Sequence, residues 1–227
     1  MLEDRSKLDN PVFHSLNEGH KDKVIQYEGV QFYHPLYCAF GGVIDPHIMA
    51  QGLAAYAQLS SAFFIVGETP IFDTSLTLVK ELVCSQMVLD NTIDLIFTEE
   101  ITPLESKEQK QALFELVNLV QPGYFKKKTA DLGRYYGIYQ DKQLVAVCGE
   151  RMKMNDFTEI SAIVTHPGYT GRGYAKQLIN HCVHNIFQEG KTPYLHVVRS
   201  NKLAINLYKK LGFLTRREIS FWKLAPC

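Results

Sequence analysis

The chain has 227 residues, 46% of them apolar and 21% charged, with 24 basic and 24 acidic side chains and a formal net charge of zero. That length suits one large domain or two small ones, with enough apolar content for a sizeable core. The balanced charge gives no ground for a nucleic acid or an anionic membrane as partner, and Lys126-Lys127-Lys128 reads as a solvated loop.

In chain order, Val24–Tyr33 and Tyr37–Ile44 read as strands. Asp45-Pro46 opens a helix to about Ser60, with Asp45 as N-cap and Pro46 at the first helical position. Ala62–Val66 is a short apolar strand. Asp73 or Thr74 starts a helix to about Met87, and Thr92–Glu99 follows as a strand. A helix runs from Lys107 to Val120. Arg134–Tyr139 and Leu144–Met152 are strands joined by the turn Gln140-Asp141-Lys142-Gln143, and a third spans Phe157–Thr165. A glycine-rich loop then leads into a helix from Arg172 to about Phe187, whose apolar face carries Leu178, Ile179, Cys182, Val183, Ile186 and Phe187. Gly190 stops it. Pro193–Val198 is a strand, Ser200 or Asn201 caps a helix ending near Leu211, and Phe213–Leu224 is a last strand, twisted or bulged at Arg216-Arg217. The alternation argues for an α/β class. A soft boundary near Asp90 divides an N-terminal accessory α/β region, residues 1–91, from residues 92–227.

The five cysteines (Cys38, Cys84, Cys148, Cys182, Cys227) form no C-x-x-C pair and read as reduced, mostly buried thiols. The opening Met1-Leu2-Glu3-Asp4-Arg5 lacks a signal-peptide pattern, and no apolar run approaches the roughly 20 residues of a membrane span. A cytoplasmic location is expected.

A glycine loop between a strand and a helix is an anion site, because backbone N–H groups converge at a helix start. Gly168 and Gly173 have the spacing of a nucleoside-triphosphate loop, but Tyr174-Ala175 stands where Lys and Ser or Thr are needed. A dinucleotide fingerprint needs Gly or Ala where Lys176 sits, and it needs the loop after a first strand. The segment Thr170-Gly171-Arg172-Gly173-Tyr174-Ala175 fits the pattern [Arg/Gln]-x-x-Gly-x-[Gly/Ala] instead, with Ile163-Val164-Thr165-His166-Pro167 upstream. One helix and one strand further on comes Asn201-Lys202-Leu203-Ala204-Ile205-Asn206-Leu207-Tyr208-Lys209-Lys210-Leu211-Gly212-Phe213.

Together these motifs resemble the GNAT superfamily of acyltransferases, in its FR47-like branch, over roughly Thr92 to Leu224. The first ninety or so residues, including Asn10-Pro11-Val12-Phe13, resemble a leader region of some FR47-like proteins. The resemblance implies a GNAT acyl-CoA-binding fold with a mixed, splayed central sheet. It implies acetyl-CoA as acyl donor and a small-molecule or peptide amine as acceptor, with no nucleic acid or membrane partner; a homodimer stays open. It assigns the cofactor to Thr170, Gly171, Arg172, Gly173, Tyr174 and Ala175 for the pyrophosphate, and to Ile163, Val164 and Asn201 for the pantetheine arm between the strands Thr158–Thr165 and Pro193–Val198. Thr170 departs from the family's Arg or Gln.

Tyr208 matches the family's general acid, and Glu159 is the candidate base, expected to have a pKa raised by partial burial. Strand alternation puts Ser161 beside Glu159, where it orders a water, while Glu150 and His196 are weaker alternatives. A lone Tyr or Glu in these places also fits a core aromatic or a solvent-facing strand residue, and Asn201 a simple cap. His181 and His184, at i, i+3 spacing with Gln177 and Gln188, read as a solvated helix face, and no metal site is expected. A non-catalytic acyl-CoA-binding module and a docking role for residues 1–91 are the rival functions.

Overall fold

Local turn and cap chemistry builds most of the elements of the computed structural model, which describes residues 5–91 and 97–227. Helix α1 (Pro11–Asn17) starts where the Asn10 side chain accepts the Phe13 N–H at 3.3 Å, with Pro11 at the first helical position. The expected strand Val24–Tyr33 is a hairpin, β1 (Val24–Tyr27) and β2 (Val30–Tyr33), reversed at Gly29 with φ 74°. Strand β3 (Phe40–Val43) follows. Helix α2 (Met49–Ala57) is shorter than expected: the Asp45 carboxylate accepts the His47 N–H at 2.9 Å in a turn ahead of the helix, and Ile48 precedes the first helical residue. Strand β4 (Phe63–Gly67) lies close to its expected place.

The helix expected from Asp73 to Met87 is a strand, β5 (Leu76–Val88). It is hydrogen-bonded along both edges, antiparallel to β10 (Thr192–Val198) and to β11 (Leu214–Pro226). Its last five residues are buried, so it has no polar face to reveal a two-residue period.

Of the expected strand Thr92–Glu99, residues 92–96 lie outside the described residues. Strand β6 (Thr102–Pro103) precedes α3 (Lys107–Val120), which falls where the sequence predicts and carries a capping box between Ser106 and Gln109. Strands β7 (Tyr135–Gln140) and β8 (Gln143–Lys153) are joined by Asp141 and Lys142, both left-handed at φ 49° and 66°, as a tight two-residue hairpin requires. Strand β9 (Phe157–Thr165) leads through the glycine loop to α4 (Tyr174–Gln188), then β10, α5 (Lys202–Lys210) and β11. The register of β11 shifts between Thr215 and Arg217, at the expected bulge.

Among the described residues the strands form one mixed sheet, ordered β1-β2-β3-β4-β11-β5-β10-β9-β8-β7-β6. The pairs β3–β4 and β9–β10 are parallel. Helices α4 and α5 cover one face through a core that includes Met87, Leu178, Leu195 and Phe213. The N-terminal segment, through Leu8, Tyr33 and Phe40, covers the other face, with α3 packed beside it over β7 to β9. The sheet therefore runs across the expected boundary at residue 91, with β5 from its N-terminal side set between strands from its C-terminal side. Cys38, Cys84, Cys148 and Cys182 are buried free thiols and Cys227 is exposed. Among the described residues no helix is long and apolar enough to cross a membrane.

Candidate active site

The sheet opens in the middle. Strands β9 and β10 pair at Phe157, Thr158 and Glu159 opposite Thr192, Pro193 and Tyr194, and no pairing continues beyond Glu159. Past that point the facing edges of β9 and β10 diverge and keep unpaired backbone groups. The β9 edge is also bulged: Ala162 has φ 51°, and the β8–β9 register shifts between Gly149–Ser161 and Val147–Val164. The expected pantetheine residues Ile163 and Val164 lie on this stretch. The Val164 side chain points to the α3 core, so its backbone alone is available to a ligand.

A cavity of about 330 Å³ occupies the splay. Glu159, Ser161, Ile163, His196, Asn201 and Tyr208 line it, so the structure brings together both expected catalytic residues, Ser161, one of the two weaker alternatives (His196) and two of the cofactor residues. The Asn201 side chain caps α5 by accepting the Ala204 N–H at 3.2 Å. The Tyr208 ring is buried on the α5 side, while its hydroxyl makes no hydrogen bond among the described residues. Burial, with a smaller contribution from Cys148, pushes the phenol above its ordinary range, so it stays protonated at neutral pH.

The glycine loop lies at the N-terminus of α4. Gly171 and Gly173 have φ 78° and 80°, and a Cβ at either would meet no atom within 4 Å. Glycine is therefore needed for backbone conformation and not for space. His166 accepts the Gly168 N–H at 3.1 Å, and Thr170 donates to the Pro167 carbonyl at 3.3 Å, which folds the loop back on its own turn. The Arg172 guanidinium stacks on Tyr169 at 4.8 Å and remains exposed. The Tyr174 side chain is core, so at that position the backbone amide is what faces an anion. The helix starts at Tyr174, two residues later than expected, because Gly173 is left-handed. These open, side-chain-free donors and the unpaired strand edges fit a pyrophosphate with an extended arm. Gly171→Ala is expected to weaken acetyl-CoA binding through an unfavourable left-handed alanine, at about 1–2 kcal/mol. Calorimetric titration checks this, and an unchanged affinity would remove the loop from the site.

Glu159 departs from expectation. Its carboxylate is 1% exposed and saturated with donors. Arg151 Nε and Nη2 donate to its two oxygens at 2.7 and 2.8 Å, His196 Nδ1 lies 2.8 Å from Oε1, and the Met152 N–H lies 3.4 Å from Oε2. Burial favours a raised pKa, but the Arg151 charge and hydrogen bonds, with His196, outweigh it and hold the carboxyl at about 2. The expected raised value is thus reversed, because the donors are placed before any ligand arrives.

The network continues across the sheet. Gln86 Nε2 lies 2.7 Å from the Leu8 carbonyl and 3.1 Å from His196 Nε2, while Arg216 Nη1 donates to Gln86 Oε1 at 2.9 Å. That amide orientation makes His196 Nε2 an acceptor and places the ring proton on Nδ1, toward Glu159. Asp9 closes the chain on Arg216 at 2.8 Å. Arg151 and Gln86 escaped sequence reasoning. Arg151 shows only as one more strand residue, and Gln86 lay in a segment read as helix.

The remaining candidates lie elsewhere. Glu150 is buried between Arg134 and Lys153, at 2.6 and 2.7 Å, and does not line the cavity. His181 packs edge-on against Tyr136, and His184 contacts Gln188. Gln177 is not on a solvated face: it is buried and accepts the N–H groups of Thr98 and Glu99 at 2.8 and 3.1 Å.

The model of the FR47-like protein family matches residues 135–222, the span from β7 into β11. That span is similar to the FR47-like family, and the fold is shared with GNAT acetyltransferases. A structure assigned to the GNAT family of acetyltransferases, from Novosphingobium aromaticivorans, is 28% identical; the alignment covers 97% of this chain and 98% of that one, with a TM-score of 0.88. A GCN5-related N-acetyltransferase from Kribbella flavida shares the fold at 11% identity over 100% and 96% of the two chains, with a TM-score of 0.64. A GCN5-related N-acetyltransferase-like protein from Streptococcus suis does so at 15% identity over 88% and 85%, with a TM-score of 0.57. No curated protein sequence matches. The fold and the FR47-like match support an acyltransferase, and acetyl-CoA is the acyl donor typical of GNAT proteins.

Proposed function

We propose that the protein transfers an acetyl group from acetyl-CoA to a primary amine by direct attack, with Tyr208 as general acid. The observation that carries this reading is that Tyr208 lines the cavity at the β9–β10 splay, with a hydroxyl that has no hydrogen-bond partner among the described residues and a pKa raised by burial. Backbone of Ile163 and Val164 at the bulged edge aligns the arm and polarises the thioester carbonyl. The amine nitrogen forms its bond to the acyl carbon, the C–S bond breaks, and the Tyr208 proton passes to the departing sulfur. The proton lost by the new amide nitrogen returns to Tyr208 through water, so the phenol is restored.

Glu159 serves this scheme as an anchor for Arg151 and His196 and not as the direct base. A carboxylate at about 2 with both oxygens occupied is a weak proton acceptor at neutral pH. The amine therefore enters in its neutral form, and the rate rises with pH through the ionisation of the amine. The same saturation favours the second reading, a non-catalytic acyl-CoA-binding module.

Release of free thiol from acetyl-CoA in the presence of amines separates the two. Tyr208→Phe is expected to lower kcat by about a hundredfold or more. The rise in Tm produced by acetyl-CoA should persist in this variant. Wild-type turnover in Tyr208→Phe would remove the phenol from the mechanism, and absence of a Tm shift in the parent protein would remove acetyl-CoA.

A further inference from the structure

The cavity at the splay adjoins a second hollow, also about 330 Å³, on the face that carries Glu159. Phe40 and Tyr124 line both. Lys80 from β5, Lys126 from the loop after α3 and Lys223 from β11 line the second hollow, together with Ser60 and Ser61, and no Asp or Glu does. None of the three lysines makes an ion pair among the described residues.

The placement of two of them is costly. Lys80 and Lys223 are direct cross-strand partners in the β5–β11 ladder. Like charges directly opposite in an antiparallel pair destabilise the sheet. An anion held between them relieves that repulsion, and Lys126 reaches the same space from a third element.

Strand β5 sets the distance to the chemistry. Lys80, Leu82, Cys84 and Gln86 alternate onto one face, and Leu82 and Cys84 line the first cavity. From Lys80 to Cys84 is about 13 Å of strand. A molecule that reaches both spaces needs an extended middle portion, which passes the aromatic rings of Phe40 and Tyr124.

Resting on the acetyl-transfer reading above, we propose that the lysine hollow binds the far end of the acceptor. The acceptor is then an amine joined through an apolar linker to an anionic group, a carboxylate or a phosphate.

Calorimetric titration of the full chain with CoA present tests this, using 6-aminohexanoate, 6-aminohexyl phosphate and the neutral 6-aminohexanol. At least one anionic amine should bind about tenfold or more tightly than the alcohol, as expected for a charge-assisted contact. The two anionic arms report which group is preferred. Lys80→Gln combined with Lys223→Gln should erase the preference and raise the Tm by removing the repulsion, while CoA still stabilises the variant. Equal binding by all three amines, or by none, overturns the proposal, as does a preference that survives the double substitution. Loss of CoA stabilisation in that variant would reassign the hollow to the phosphates of CoA and also overturn it. An anionic preference without thiol release would keep the site and sink acetyl transfer. Thiol release at equal kcat/KM with all three amines would keep acetyl transfer and sink the site.

Discussion

A chain that begins at residue 92 is expected not to fold. Strand β5 would be missing, and with it the partner of both β10 and β11 in the interior of the sheet. Met87 and Val88 are buried, and each contributes about 1.5–3 kcal/mol by burial. The polar loss is as severe. His20 bridges the N-terminal layer to the Leu132 carbonyl at 2.8 Å, and Gln86 orders His196. With the ladder bonds of both edges, the deficit exceeds the roughly 5–15 kcal/mol by which a domain is stable. Circular dichroism and amide NMR spectra of residues 92–227 should show an unfolded or molten chain. A dispersed spectrum with acetyl-CoA binding would instead establish residues 1–91 as a separate module. Restoration of folding by adding residues 1–91 as a second chain would support the strand-insertion account.

Glu159→Ala is expected to destabilise the protein by about 3–5 kcal/mol, because it leaves the Arg151 charge buried without its partner. Arg151 also holds its guanidinium over the Phe40 ring at 4.7 Å. The pH dependence has a definite sign. The folded-state pKa of Glu159 is depressed to about 2. Its stabilising contribution is therefore complete above the ordinary carboxylate range and is lost as pH falls from there through about 2. Urea unfolding between pH 7 and pH 3 should show parent and variant converging at the acid end. A constant gap across that range would mean that Glu159 has no depressed pKa. Arg151→Met combined with Glu159→Leu should recover part of the loss, since no charge remains unpaired.

The C-terminal part was legible because its signals are local. Asn201 caps its helix, Asp141 and Lys142 form the hairpin turn, and Gly171 and Gly173 adopt the left-handed conformations that only glycine takes easily. Each depends on residues within one turn of chain. The first part was less so. Leu76–Val88 carries apolar residues that fit either period, and only its insertion between β10 and β11 makes it a strand. The chemistry of Glu159 shows the same division. Its position on β9 was readable, but its protonation depends on Arg151, His196 and, beyond them, Gln86 and Arg216, which arrive from four different strands.

By itself, then, the amino-acid sequence determined the family resemblance, the glycine loop, the order of the last strands and helices, and Tyr208 as the candidate acid. These rest on short-range backbone preferences and on motifs a few residues long. Only the tertiary structure decided that residues 1–91 complete the sheet, that Glu159 is an ion-paired anchor, and that Lys80, Lys126 and Lys223 share one hollow. Strand pairing, burial and electrostatic coupling act between residues far apart in the chain, and no local pattern records them.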